Sequence, residues 1–297
     1  MIQKAEILQA ASSHKVNPVI IEKDYVLGWI LAGIANNASL SESWVFKGGT
    51  CLKKCYFKEY RFSEDLDFTL TEGASIDPNF IQAQLLDVSQ WLYNQSGIEA
   101  PEIILNIFPD SNGKTFRGKI GYIGPLEQRG SFTRIKLDLT QNEFIAKPPI
   151  KLEISHLYGD KEDFLYHIYA YSYEEIFAEK VRALLERARP RDLYDVINLF
   201  ERKNDFGVDA AVLKEIVQAK LAYRNLTVHT EKTCLAEIQI QDLVQEWENM
   251  LAHQIGHLDS VHVYLNKLPK ILEWISQKPR LKGERELHQN GKVLDLS

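Results

Sequence analysis

The chain has 297 residues, 45% hydrophobic and 26% charged, an ordinary globular composition that argues against wholesale disorder and allows a substantial core. Its formal charge of −6 excludes a generic polybasic nucleic-acid binder, though not a local basic groove. No stretch approaches the roughly 20 apolar residues of a membrane span, and no signal peptide precedes the sparse, odd set Cys51, Cys55 and Cys234, which together predict a reducing cytoplasm.

Residues 1 to about 40 carry helical periodicity, with Ile20, Tyr25, Val26, Trp29, Ile30 and Ile34 recurring every three or four positions. "WVFKG" (44–48) reads as a short apolar strand, residues 50–56 as a helical turn behind it, and "FSEDLDFTL" (62–70) as a second strand. "NFIQAQLLDVSQWLYNQSG" (79–97) is an amphipathic helix stopped by a glycine. The β-rich runs "EIILNIF", "KIGYIG", "FTRIKLDLT", "IKLEISH" and "FLYHIYAYS" follow, punctuated by turn signals at "DSNGK" and "AKPP". After Tyr173 the pattern turns almost wholly helical, through "EEIFAEKVRALLERA", "RDLYDVINLF", "AAVLKEIVQAKL", "QDLVQEWENMLAH" and "HVYLNKLPKILEWISQ". The expected organisation is an α+β domain over residues 1–172, its helical N-terminal segment about 1–40, then an all-helical domain over 173–297 with a polar tail from about 278.

Asp65 and Asp67, two apart on a strand, project to one side while Leu66 and Phe68 face the other. Adjacent carboxylates raise each other's pKa, a cost that a shared Mg2+ or Mn2+ relieves. The two acids alone fit a strand-edge residue and a turn cap at least as well. "GGT" at 48–50 shifts that balance: glycines between a strand and a helix let bare backbone N–H groups approach a phosphate. The spacing is not that of the common NTPase loop. A Gly-Gly turn followed some fifteen residues later by Asp-x-Asp places a triphosphate cradle beside a candidate metal pair.

These motifs resemble the polymerase-β-like nucleotidyltransferases, and "VFKGGTCLKK…RFSEDLDF" is similar to the AbiEii/AbiGii toxin family, which includes the MenT-type toxins. "IEKDYVLGWIL" (21–31), "YSYEEIFAEKVRALLER" (171–187) and "RPRDLYDVINL" (189–199) match three further segments of that family, in order. The resemblance implies a mixed nucleotidyltransferase-type sheet with flanking helices, then a helical C-terminal domain. It also implies a third carboxylate: Asp138 in "RIKLDLT" is favoured over Glu153 in "IKLEISH", the alternative for Asp138 being an edge Asp paired with Lys136 or Arg134.

By the same resemblance, Asp65, Asp67 and Asp138 hold Mg2+ or Mn2+, and Gly48, Gly49, Thr50 and Ser63 position the triphosphate of an NTP. Lys180 then reaches the phosphates from the helical side; without the family it reads as a snorkelling surface lysine. Asp192 and Asp195 are expected in the same cleft as Lys180, Asp192 being the functional one, although an Asp near a helix start is stabilised there whatever its role. Arg187, Arg189 and Arg191 would hold RNA or phosphate oxygens. Residues 111–136 carry Lys114, Arg117, Lys119, Arg129, Arg134 and Lys136 against Glu127, either a solvated hairpin or a rim for a polynucleotide.

"RDLYD" fails as a kinase catalytic loop because Pro190 precedes it and no D-F-G follows. His253 and His257, expected on one helix face, lack the glutamate of a zinc protease motif. The implied activity is transfer of a nucleoside monophosphate to a hydroxyl, foremost the tRNA 3′ end. The implied setting is a bacterial toxin–antitoxin, abortive-infection or phage-defence system, with a cognate antitoxin and no DNA binding by this chain. A protein or small-molecule acceptor, and a non-catalytic nucleotide-binding regulator, are the alternatives.

Overall fold

The computed structural model describes residues 1–110, 113–128, 130, 132–226 and 240–277. The polar tail, Cys234, Arg129 and the Lys114 side chain lie outside what it describes. The N-terminal periodicity resolves into two helices, α1 (Lys4–His14) and α2 (Pro18–Asn36). Asn17 separates them: its side chain accepts from Val19 N at 2.9 Å and Pro18 takes the first helical position. Ile20 through Ile34 of α2 are almost all buried.

Seven strands form one mixed sheet: β1 (Trp44–Lys47), β2 (Asp65–Leu70), β3 (Glu99–Asp110), β4 (Gly113–Ile123), β5 (Thr133–Thr140), β6 (Ile150–Glu153) and β7 (His167–Ala170). Their spatial order is β3-β4-β5-β2-β1-β7-β6. β2 pairs parallel with β5 and β1 parallel with β7, while the other neighbours run antiparallel. Alternation sets the two faces: Ile135, Leu137 and Leu139 of β5 are buried with Leu66 and Phe68 of β2, and Phe116 and Ile120 of β4 lie on the same side. Helix α2 and helix α4 (Pro78–Ser96) pack against one another, α4 also along β3 and α2 against β5. Gly97, at φ +73°, ends α4 where the sequence placed its stop.

The second strand is shorter than expected. Phe62 N bonds Gln254 O at 2.9 Å instead of joining the ladder, so residues 62–64 form a tether and pairing starts at Asp65. Behind β1, Gly48–Cys51 makes one helical turn, α3, which widens into a π-helical turn over Leu52–Tyr56.

Helix α5 (Tyr173–Arg187) begins as the sheet ends. The Ser172 side chain accepts from Glu175 N at 3.3 Å, and Glu174 and Glu175 sit in the first turn, both favourable at a helix N-terminus. Helices α6 (Pro190–Arg202), α7 (Ala210–Tyr223), α8 (Ile240–Leu251) and α9 (Val261–Ser276) complete the described chain. α5 packs on α6 and α7, and α6 on α8 and α9. Buried apolar side chains run as one cluster from Ile2 to Ile275, so the sheet and these helices share a core. His253 and His257 do not share a helix face: α8 stops at Leu251, and they meet Glu64 and Asp259 respectively.

Candidate active site

β1 ends at Lys47, and the chain must turn at once into α3. Gly48 makes that turn at φ +82°, a conformation L side chains rarely adopt. A Cβ there would stand 2.3 Å from Asp67 Oδ2, and one at Gly49 would stand 2.6 Å from the Arg61 guanidinium and 3.0 Å from Ser63 Oγ. Gly48 is therefore required by how closely the backbone approaches the acidic strand, and Gly49 by its approach to the segment that leads into it. Thr50 is buried and spends its hydroxyl on the Asp65 carbonyl, which clips α3 to β2.

The sheet register places Asp67 opposite Asp138 on β5 and opposite Lys47 on β1. Asp65, two residues earlier on the same face, is opposite Lys136. Burial, reinforced by the charges of Asp65 and Asp138, lifts Asp67 to about 6 despite the opposing pull of Lys47 and Lys180. Burial likewise raises Asp138, whose Oδ1 lies 3.8 Å from Arg117 Nε. Glu153, the other candidate third carboxylate, is on β6 at the opposite edge of the sheet.

Asp67 and Asp138 border a cavity of about 340 Å³ whose walls also include Gly48, Gly49, Lys180 and Arg187; Asp65 is not in its wall. Lys47, Glu143, Arg182 and Arg224 also line it, and none of these four was singled out from the sequence. Lys47 had a signal, its position immediately before the glycines. Glu143, which accepts from both Lys47 and Thr69, arrives from a loop with no pattern to mark it.

Asp192 and Asp195 are not in that wall. Both are fully buried behind Lys180, so the expectation that they line its cleft is corrected. Lys180 Nζ lies 2.8 Å from Asp195 Oδ2 and 3.7 Å from Asp192 Oδ1. Asp192 is also gripped by Arg187 through bonds of 2.8 and 3.1 Å. Asp195 accepts from Tyr60 and, twice, from Arg61, a buried arginine the sequence reading passed over. Burial alone would push Asp195 up, but Arg61 and Lys180 together hold it well below the usual carboxylate range. Arg61 also donates to Gln254 at 3.0 Å, so one side chain ties the loop before β2 to α6 and to the turn after α8.

Arg189 is exposed at the start of α6, and Arg191 approaches Asp65 at 4.0 Å. Among the described residues no three His, Cys, Asp or Glu side chains converge into a metal-binding cluster. The donor chemistry nonetheless suits a hard cation: Asp67 and Asp138 are all-oxygen neighbours, both raised chiefly by burial, with the Asp65 charge adding to each. No described helix is long and apolar enough to cross a membrane.

A mixed sheet that carries its acidic pair beside a glycine turn, backed by helices, defines a nucleotidyltransferase-type protein. Residues 29–275 match the family described as nucleotidyl transferase AbiEii toxin, type IV toxin–antitoxin system, and the chain belongs to that family. No curated protein sequence matches it. Among solved structures, MenT4, a nucleotidyltransferase toxin from Mycobacterium tuberculosis H37Rv, is similar with a TM-score of 0.61 at 17% identity, covering 96% of this chain and 92% of that one. JHP933 from Helicobacter pylori has a TM-score of 0.55 at 16% identity, covering 88% and 93%. At these identities the likeness is one of fold. Family membership makes the chain a nucleotidyltransferase toxin, with an NTP substrate and an antitoxin partner.

Proposed function

We propose that this toxin transfers a nucleoside monophosphate from an NTP to a hydroxyl at the 3′ end of RNA, foremost tRNA, releasing pyrophosphate. The observation that carries the reading is the meeting of the Gly48 turn with Asp67, at a separation that excludes even a methyl group. Backbone N–H groups of a phosphate cradle and the acids that manage the reacting centre thereby share one cavity.

Gly48 and Gly49 would offer main-chain donors to the triphosphate, with Ser63 beside Gly49. Lys180, held from behind by Asp195, would present a fixed cation to the phosphate oxygens. Asp138, raised by burial, would take the proton of the acceptor hydroxyl as its oxygen attacks the α-phosphorus and pyrophosphate departs. Asp65, Asp67 and Asp138 would hold Mg2+ or Mn2+, which supplies charge neutralisation and a lowered acceptor pKa. Arg187, exposed at the cavity edge, and Arg189 and Arg191 at the start of α6 would contact RNA phosphates. In this reading the helices from Tyr173 onward, packed on the sheet through a shared core, hold Lys180 at the cavity.

The test incubates the protein with each α-labelled NTP, magnesium and purified tRNA, with total cell protein as a parallel acceptor. Label in RNA that disappears in Asp65→Ala is the expected result. Label entering protein instead, or Asp65→Ala labelling at the wild-type rate, would overturn the reading.

A further inference from the structure

The face of the sheet that carries the acids continues outward across β5, β4 and β3. Register aligns its side chains in rows. Asp65 leads to Lys136, Lys119 and Ile104; Asp67 leads to Asp138, Arg117 and Asn106; Thr140 leads to Thr115 and Phe108. The far row, Arg134, Gly121 and Glu102, is closed by the Arg134–Glu102 ion pair, 3.1 Å between Nη2 and Oε1. Helices α2 and α4 occupy the opposite side, where Ile135, Leu137 and Leu139 are buried.

Two features of this outer face are costly in a free protein. Lys119 and Lys136 stand directly opposite each other on neighbouring strands, an arrangement that like charges disfavour. Ile104 and Phe108 leave large apolar surface in water, 40% and 42% exposed. The Arg117 guanidinium lies over the Phe108 ring at 5.0 Å and 3.8 Å from Asp138, so cation, aromatic ring and active-site acid form one connected line. Three cations with an exposed ring are the ingredients of a single-strand platform: charge follows the phosphates, and bases of any identity stack on the ring.

Resting on the reaction proposed above, we infer that the outer face of β3, β4 and β5 carries the acceptor as a single-stranded polynucleotide. Its terminal hydroxyl points to Asp138, its phosphates lie over Lys119, Lys136 and Arg117, and a base stacks on Phe108. Strand spacing sets Asp138 on β5 about 10 Å from β3, the scale of the last nucleotides of a strand. An acidic polypeptide would satisfy the lysines equally well; the exposed Phe108 ring, with the Arg117 guanidinium 5.0 Å from its centre, is what favours a partner with bases to stack.

The test uses a short fluorescent single-stranded RNA with the full-length protein, measuring binding by anisotropy across a salt series. Phe108→Ala is expected to weaken binding about tenfold with an unchanged salt slope. Lys119→Ala is expected to lower the slope by about 0.7. Neither should change NTP affinity measured by calorimetry, and duplex RNA should compete poorly. Variants that bind the RNA as wild type does, a wild type that does not bind it, or preferential binding of polyglutamate would each overturn the inference. The labelling assay separates the two proposals. Normal transfer with an unchanged KM for RNA in both variants overturns the platform alone, and variant-sensitive binding without any transfer by wild type overturns the reaction alone.

Discussion

Asp195 accepts two bonds from Arg61, 2.8 Å from Nε and 2.7 Å from Nη2, with both side chains wholly buried. The same carboxylate lies 2.8 Å from Lys180 Nζ. Removing the arginine would leave the buried carboxylate only Lys180 and Tyr60 and take away two charge-assisted bonds, together typically about 3 to 5 kcal/mol. Arg61→Ala should therefore lower the unfolding free energy obtained from urea titration by that order, and Arg61→Lys should recover only part because a lysine cannot reproduce the paired geometry. An Arg61→Ala protein as stable as wild type would remove this pair from the account of the fold.

Lys180 itself is expected to behave differently. Asp192 keeps Arg187 and Asp195 keeps Arg61 when the lysine is lost, so neither acid is left bare. Lys180→Ala should melt close to wild type while NTP affinity falls roughly 10- to 100-fold, the scale of one charge-assisted contact. Calorimetric titration with NTP reads this directly, and unchanged affinity would move Lys180 out of the phosphate site.

The pH dependence of stability has a definite sign at Asp67. Its folded value of about 6 lies above the unfolded aspartate value near 3.9. The stabilisation of the protonated form is complete below about pH 4 and is lost as pH rises through 6. At pH 7 without metal the ionised group costs at most on the order of 2 to 3 kcal/mol, an upper bound because the side chain is partly open to solvent. Asp67→Asn should consequently melt higher than wild type at pH 7 in chelator, lose that advantage near pH 4, and be inactive throughout. Equal melting of the two proteins at pH 7 would contradict the burial of the Asp67 carboxyl among like charges.

Gly48→Ala should fold with a modest penalty of about 1 to 2 kcal/mol for its left-handed backbone. The new methyl would displace the Asp67 carboxylate, and misplacement of about 1 Å can cost roughly 10²-fold in rate. Single-turnover kinetics would show the defect in chemistry. Wild-type turnover in Gly48→Ala would mean that the close approach has no catalytic role.

Much of this arrangement was legible in the residues. Alternation gave the sheet segments and Gly97 the end of α4, because period-two patterns fix which side chains share a face; the expectation of Asp138 beside the acid pair came from the family resemblance, not from the pattern. Arg61 and Asp195 were not legible as partners, since 134 positions separate them and only tertiary packing joins them. Asp192 was misplaced for the same reason: its helix could be read, but not that Arg187 and Lys180 would enclose it. Cavity residues drawn from loops, Glu143 above all, carry no periodicity.

The parallel alignment of β2 with β5 has one more consequence. Sliding β5 by a single position would bury Asp138 and turn Leu137 or Leu139 toward the solvent. Greasy packing on the far side of the sheet thus acts as a ratchet for the chemistry on the near side. Cavities cut into that packing should erode turnover before they melt the protein.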